Sequence, residues 1–330
     1  MWSGRRRSAK TGRLSSAADP PKLRLAGTLL LRKDLLHDFL LYLDAEGLLA
    51  LCEAMGHLSE AQDANDQISR TYPILRDNEW WLHLLQAHCH VDFRMFRMHR
   101  SVSVPTIGCD ALADYLSLRG QLECFARCVE VVKGDLGTIT SVEDDQVDCL
   151  VFPTSSLFQN PQRGVAGRVH ERAGPDLNRI VANLDLRRAA RTGTVLCTEG
   201  CRSRMKLLVH CVGPMNRQRD ANLLLFETYV NALLAAERSH VTCAAVASIS
   251  TGLHNFPVPQ AAHIALSALR DLIRLRPHWN LKVAFVCIDD NVYENFQRAR
   301  QETSQAFHST AFAFPCLVRK LSMAEPASES

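Results

Sequence analysis

The stretch Gly164-Val165-Ala166-Gly167-Arg168-Val169-His170 decides the fold when it is read with Ser250-Thr251-Gly252-Leu253-His254-Asn255-Phe256-Pro257. Each follows an apolar, strand-like run and leads into a helix-like one. Each carries glycine where a backbone must turn sharply or come close to a ligand. Two such loops at one sheet edge can hold a diphosphate between backbone N–H groups, helped by the dipole of the helix that follows. A lone glycine loop would be a weak signal, whereas two in this order are a strong one.

Outward from these loops, short β-rich runs alternate with amphipathic helices from about Glu130 onward. The strand candidates are Val131-Val132, 149–152, 207–212, 244–249 and 283–288, and the helix candidates lie around 169–173, 177–190, 223–236 and 261–273. Helix propensity resumes at Arg168, which leaves the N–H groups of residues 164–167 to face phosphate. Strands alternating with helices predict an α/β sheet covered on both faces. Ligands in such folds sit beyond the carboxyl ends of the strands, where both glycine loops lie.

The 330 residues exceed one ordinary domain, and 47% hydrophobic with 22% charged residues suits a globular protein with a real core. A net charge of +3 gives no electrostatic case for gripping a polyanion, so direct nucleic-acid binding is not expected. No charge-free apolar run approaches the length of a membrane span. The twelve cysteines lack CxxC spacing, and Cys149, Cys211, Cys243 and Cys287 sit in apolar runs. With a polar, basic N-terminus in place of a signal peptide, they read as reduced thiols of an intracellular protein. His83, His88, Cys89, His90 and His99 lie on a helical pattern, where packing or exposure is the commoner role, and no metal site is expected.

The chain divides into a basic tail at 1–27, a helical domain at 28–100, a helical connector at 101–127, an α/β domain at 128–310 and a C-terminal tail at 311–330. The tail carries Arg5, Arg6, Arg7, Lys10 and Arg13 before its first acid, Asp19, and predicts disorder. The same run suits a nuclear-localisation patch or a mitochondrial transit peptide, so nucleus, cytoplasm and mitochondrion all stay open. In the helical domain Leu35, Leu36, Phe39, Leu40 and Leu43 share one helical face, and Leu48, Leu49, Leu51, Cys52 and Met55 form the next apolar set. Trp80-Trp81 and Leu84-Leu85 mark a later helix. This pattern resembles an F-box, without the usual opening Leu-Pro and with a longer span before the last helix. The resemblance implies a partner, the Skp-type adaptor of a ubiquitin ligase, docking on Leu35, Leu36, Leu40 and Leu48. A small helical domain that merely packs on its neighbour is the plain alternative.

Residues 128–307 resemble the macro domain, the family that binds ADP-ribose. Lys133-Gly134-Asp135-Leu136 is similar to the family's Gly-Asp-Ile-Thr, in which the aspartate accepts a hydrogen bond from the adenine amino group. Val151-Phe152-Pro153-Thr154-Ser155 stands where most members have Val-Asn-Ala-Ala-Asn, so Ser155 takes the place of the asparagine that reaches the distal ribose. Gly164, Val165, Ala166 and Gly167 form the first phosphate loop. His210-Cys211-Val212-Gly213-Pro214 resembles the family's central strand. Ser250, Thr251, Gly252 and Leu253 form the second loop, followed by His254 where an aromatic usually covers the distal ribose, then Asn255 and Phe256. Ile288 occupies the adenine-stacking position with an apolar face but no ring. The implied fold is a macro domain, a mixed central sheet with helices on both faces, behind a small all-α F-box-like domain. The implied ligand is ADP-ribose, with no cofactor.

Family members that hydrolyse ADP-ribose from proteins use an aspartate in the first loop and an asparagine before it. Here Ala166 and Phe152 hold those places, and loss of a general base costs about 10² to 10⁴ in rate. Backbone-amide binding survives both changes. Recognition of ADP-ribosylated proteins is therefore favoured over catalysis, with no catalytic residue assigned. Hydrolysis, and a ligand-free macro fold serving as an interaction surface, are the alternatives.

Overall fold

The computed structural model describes residues 43, 47, 77–89, 110–158, 164–183, 189–276 and 278–313. Leu35, Leu36, Leu40 and Leu48, with the basic tail and the residues after 313, lie outside them. By contacts the chain divides into two units between Asp77 and Asn78.

Six strands form one sheet: β1 (Val129–Lys133), β4 (Cys149–Pro153), β5 (Val195–Thr198), β6 (Leu207–Cys211), β7 (Cys243–Ala247) and β8 (Lys282–Cys287). Their spatial order is β1-β8-β7-β4-β6-β5, parallel throughout except for the antiparallel edge strand β5. A two-stranded hairpin, β2 (Ser141–Val142) with β3 (Asp145–Gln146), fills the connection from β1 to β4. This is the α/β sheet with flanking helices that the alternating pattern predicts, and its mixed character is what the resemblance implies.

The period of two along each strand sorts its side chains between two cores. Cys149 and Val151, Ala244 and Val246, and Val283 and Phe285 face helices α5 (Ala221–Arg238), α6 (Val258–Leu275) and α7 (Asp290–Gln305). Leu150 and Phe152, Ala245 and Ala247, and Ala284 and Val286 face α3 (Gly164–Ala173) and α4 (Pro175–Ala182). The small residues of β7 let helices approach both faces of the sheet centre. Fully burying a side chain such as Leu225 or Phe285 stabilises by about 1.5–3 kcal/mol.

Among the described residues, helices α1 (Asn78–Cys89) and α2 (Asp110–Cys128) precede the sheet. Trp81, Leu84 and Leu85 of α1 are buried, with Trp81 against Tyr115 of α2 at 5.4 Å between rings. Phe125 of α2 enters the α6–α7 core beside Phe307.

Three element readings need correction. The first loop's helix begins at Gly164, not Arg168, because Gly164 itself makes the positive-φ turn (65°) that starts it. The helix expected over 177–190 ends at Ala182, where Asn183 caps it through its backbone N–H to Arg179 and Val181. The strand ending expected at Ile249 stops at Ala247, and the loop begins two residues earlier. Eight of the described cysteines are free, and among them Cys149, Cys211, Cys243 and Cys287 are buried. Among the described residues no helix is long and apolar enough to cross a membrane, and no group of His, Cys, Asp or Glu could hold a metal ion.

Candidate functional site

A cleft of about 640 Å³ opens beyond the carboxyl ends of β1, β8, β7 and β4. It is walled by the segments leaving those strands and by the first turn of α3. The order of strands sets the order of the wall. Asp135 follows the edge strand β1, Ile288 follows β8, the second glycine loop follows β7, and Thr154 and Ser155 follow β4. His254 closes the far end, tied to Pro214 beyond β6 by an Nδ1 to carbonyl contact of 3.0 Å. At about 4.8 Å per strand, the four steps from β1 to β6 span roughly 19 Å.

The middle of the cleft is built for an anion. The first four N–H groups of α3 have no partner within the helix, and no acidic side chain stands in its first turn. Opposite them, Ser250 holds a positive φ (67°), a strained state for a residue with a Cβ that persists only where surroundings enforce it. Three contacts do so. Phe256 donates its N–H to the Ser250 carbonyl (3.0 Å), Asn255 donates to Gly252 (2.9 Å), and the Tyr229 hydroxyl accepts from Ile249 N–H (2.8 Å). A Cβ on Gly213 would lie 2.4 Å from Ser250 Oγ and 2.6 Å from Ile249 Cγ2, so glycine there lets the loop come down onto the sheet. Ser250 Oγ and Thr154 Oγ1 are buried without a hydrogen-bond partner among the described residues, an arrangement that a polar ligand would satisfy.

At the β1 end, each oxygen of Asp135 has one partner and keeps a further lone pair. Oδ1 accepts from the Gly137 N–H (2.8 Å), and Oδ2 pairs with Arg168 Nη1 (2.7 Å). Ile288 stands nearby with 62% of its surface exposed. At the opposite end, a carbonyl can only accept, so His254 Nδ1 donates and, in the neutral ring, Nε2 carries the lone pair.

Of the sequence-derived residues, Asp135, Leu136, Ser155, Gly164, Val165, Ala166, Ser250, Thr251, Gly252, Leu253, His254 and Ile288 all line this cleft. Gly167 instead borders a separate hollow beside His170 and Asn178, although its N–H belongs to the same first turn. Asn255 and Phe256 do not line the cleft. Asn255 takes the left-handed turn (φ 50°) and swings Phe256 into the core, where it is buried. Sequence reasoning missed Arg168, which lines the cleft from the second turn of α3, and Thr154 and Ser248, the latter bonded to Thr251 (2.8 Å). A signal for Arg168 was present in its four-residue spacing from Gly164, which puts it on the same helix face.

The positions of Ala166 and Phe152 bear on chemistry. Phe152 is fully buried and packs on His210 (4.6 Å between rings), so it presents nothing to the cleft. Cys287 reaches the lining, but burial pushes its thiol up to about 12, which leaves it protonated and unreactive near neutrality.

Residues 154–265 match the macro domain family model. Over 173 residues the chain is 32% identical to a macro domain-containing protein of Lactiplantibacillus plantarum, covering 52% of this chain and 95% of that one. Over a further 173-residue alignment it is 31% identical to a Salmonella newport protein named O-acetyl-ADP-ribose deacetylase, covering 52% and 92%. Among solved structures it is similar to an Oceanobacillus iheyensis macrodomain with MES bound, at 27% identity and a TM-score of 0.48, over 54% of this chain and 92% of that one. The chain belongs to the macro domain family.

Proposed function

We propose that this protein binds ADP-ribose, free or attached to a protein, across the cleft from Asp135 to His254. One observation carries the proposal: the first-turn N–H groups of α3, which have no partner within the helix, line the same cleft as the strained Ser250–Gly252 loop, with a carboxylate at one end. The donors and dipole suit a diphosphate, and the carboxylate suits an exocyclic amine. Relatives named for ADP-ribose chemistry support the same ligand. Calorimetric titration of the full chain with ADP-ribose tests it. Saturable heat at micromolar concentration is expected. No heat at millimolar concentration would leave a ligand-free fold used as an interaction surface.

Recognition rather than cleavage is the favoured role, since Ala166 and Phe152 supply neither a base nor a seat for water. Hydrolysis is the second reading, and His254 is the observation that favours it. In the neutral ring its Nε2 carries a lone pair and has no hydrogen-bond partner among the described residues, at the end of the cleft away from Asp135. That reading expects turnover of O-acetyl-ADP-ribose that His254→Phe removes while ADP-ribose affinity holds. Equal turnover in both proteins would exclude His254.

The larger role we propose is that of an intracellular adaptor, in which residues 28–100 dock on a Skp-type ubiquitin-ligase subunit and the macro domain recruits an ADP-ribosylated client. Its support is the leucine pattern of Leu35, Leu36, Leu40 and Leu48. Charged residues at Leu36 and Leu40 are expected to abolish co-purification with such a subunit while ADP-ribose binding persists. A wild-type protein that captures no Skp-type subunit under mild conditions ends the adaptor role.

A further inference from the structure

Among the described residues, Arg168 is the one arginine or lysine that lines the cleft, its charge lies beside Asp135, and its path there is prepared. A Cβ on Gly137 would lie 3.1 Å from Arg168 Cβ and 3.4 Å from Cδ, so the bare glycine lets the arginine stem run past it. The same glycine donates its N–H to Asp135 Oδ1 (2.8 Å), which fixes the carboxylate plane. Arg168 Nη1 then meets Oδ2 at 2.7 Å, with the arginine side chain 54% exposed and the aspartate 19%. The guanidinium has five N–H donors, and those beyond this ion pair have no partner among the described residues. The result is an acceptor and a donor fixed side by side at the β1 end of the cleft.

We propose that Arg168 and Asp135 together read the Watson–Crick edge of a purine, and that Arg168 is a specificity-determining residue for adenine. This rests on the reading of the cleft as an ADP-ribose site. Adenine offers a 6-amino donor next to the N1 acceptor. The carboxylate accepts from the first while the guanidinium donates to the second. Hypoxanthine reverses both, with a 6-oxo acceptor beside an N1–H donor, so each group of the pair would meet its like. Asp135 alone rejects hypoxanthine at one point, and with Arg168 the rejection acts at two.

The experiment compares ADP-ribose with its hypoxanthine counterpart on the full chain, in the wild type, Arg168→Ala and Arg168→Lys. A well-formed two-point contact discriminates by about ten- to a hundredfold or more. The wild type is expected to favour ADP-ribose by about a hundredfold, and Arg168→Ala by about tenfold at most. The alanine variant should lose affinity for ADP-ribose and hold or gain it for the hypoxanthine ligand. Lysine, with charge but no planar fork, should give an intermediate ratio. A preference ratio unchanged in Arg168→Ala would overturn the proposal. Tighter ADP-ribose binding in that variant would also overturn it, by showing that Arg168 plugs the site. If the wild type binds neither nucleotide, the ADP-ribose reading falls and takes this inference with it. A wild type that binds both nucleotides equally leaves that reading standing and sinks only the base-reading pair.

Discussion

Gly252 has open space where a side chain would begin, with no atom within 4 Å of an added Cβ and no positive φ to forbid one. Gly252→Glu should therefore fold normally, with a melting temperature within a degree or two of wild type, and place a carboxylate among the diphosphate donors. ADP-ribose binding is expected to disappear from a calorimetric titration. Binding kept within tenfold would remove the diphosphate from this loop. Asp135→Ala acts at the other end and should cost ten- to a hundredfold in affinity, the equivalent of about 1.5–3 kcal/mol for a charged acceptor. Unaltered affinity would show that the carboxylate stays with Arg168 when ligand binds. The placement of both at the cleft was legible in the sequence, because it follows from neighbours in the chain, a strand before and a glycine beside. Arg168 was not, since what it does depends on Gly137, thirty-one positions earlier and brought alongside only by the fold. Phe256 misled for the related reason that Asn255 chooses the left-handed turn, and nothing local to the sequence settles which side of the backbone then faces the cleft.

At the scale of elements, the second loop is held from beneath by α5. The Tyr229 ring is fully buried against Phe285, and its hydroxyl accepts the Ile249 N–H. Tyr229→Phe leaves that N–H unpaired in the core, which costs about 1–3 kcal/mol. Since the loop's strained Ser250 follows directly, the variant should weaken ADP-ribose as well as lower the melting temperature. A fall in stability with unchanged affinity would mean the loop holds its shape without this anchor. The end of α6 carries a second device. Arg270 and Asp271 are both buried, the carboxylate accepts from Arg270 Nε (2.8 Å) and from Ala313 N–H (2.9 Å), and Arg270 reaches the Ala311 carbonyl (3.1 Å). Asp271→Ala strands a buried guanidinium and is expected to cost about 3–5 kcal/mol by urea unfolding. A loss below about 1 kcal/mol would show that the segment past α7 docks without it. Buried strands such as β4 and β8 were legible as apolar runs between turns. β5 was not, because an edge strand with Cys197 exposed carries little hydrophobic pattern. Helix α7 was missed because its surface is charged. Its core residues, Val292, Phe296, Ala299 and Thr303, fall every three or four positions among polar neighbours, and Asp289 caps it by accepting from Val292 N–H (2.9 Å).

Across the whole domain, the strand order β1-β8-β7-β4-β6-β5 is the feature no local pattern contains, because it depends on which crossovers close the two cores. Those cores enclose histidines, and they set how the fold responds to acid. His210 lies fully buried between Phe152 and His170, with Nε2 against Thr198 Oγ1 (3.0 Å) and Nδ1 without a partner among the described residues. Burial, then the neighbouring His170, pushes it down to about 3. His308 holds the turn after α7 to α2 through Nε2 and the Leu118 carbonyl (2.7 Å), and burial pushes it down to about 3 as well, against the opposing pull of that carbonyl. An unfolded histidine titrates near pH 6.5. Above that value neither state binds the proton, and the stability of the neutral buried rings is present in full. As pH falls from about 6.5 toward about 3, the unfolded chain takes up protons that the native rings refuse, and stability is lost. Each ring contributes a slope of at most about 1.4 kcal/mol per pH unit. Between pH 7 and 5 the two together should lower stability by a few kcal/mol, or roughly 5–15 °C in melting temperature for a domain of this size. Thermal unfolding across that range tests this, with His210→Gln/His308→Gln as the comparison. The double variant should start less stable at pH 7, having lost ring packing, and fall more gently toward pH 5. A wild-type melting temperature flat across the range, or an equal slope in both proteins, would show that the rings gain protons without leaving the fold.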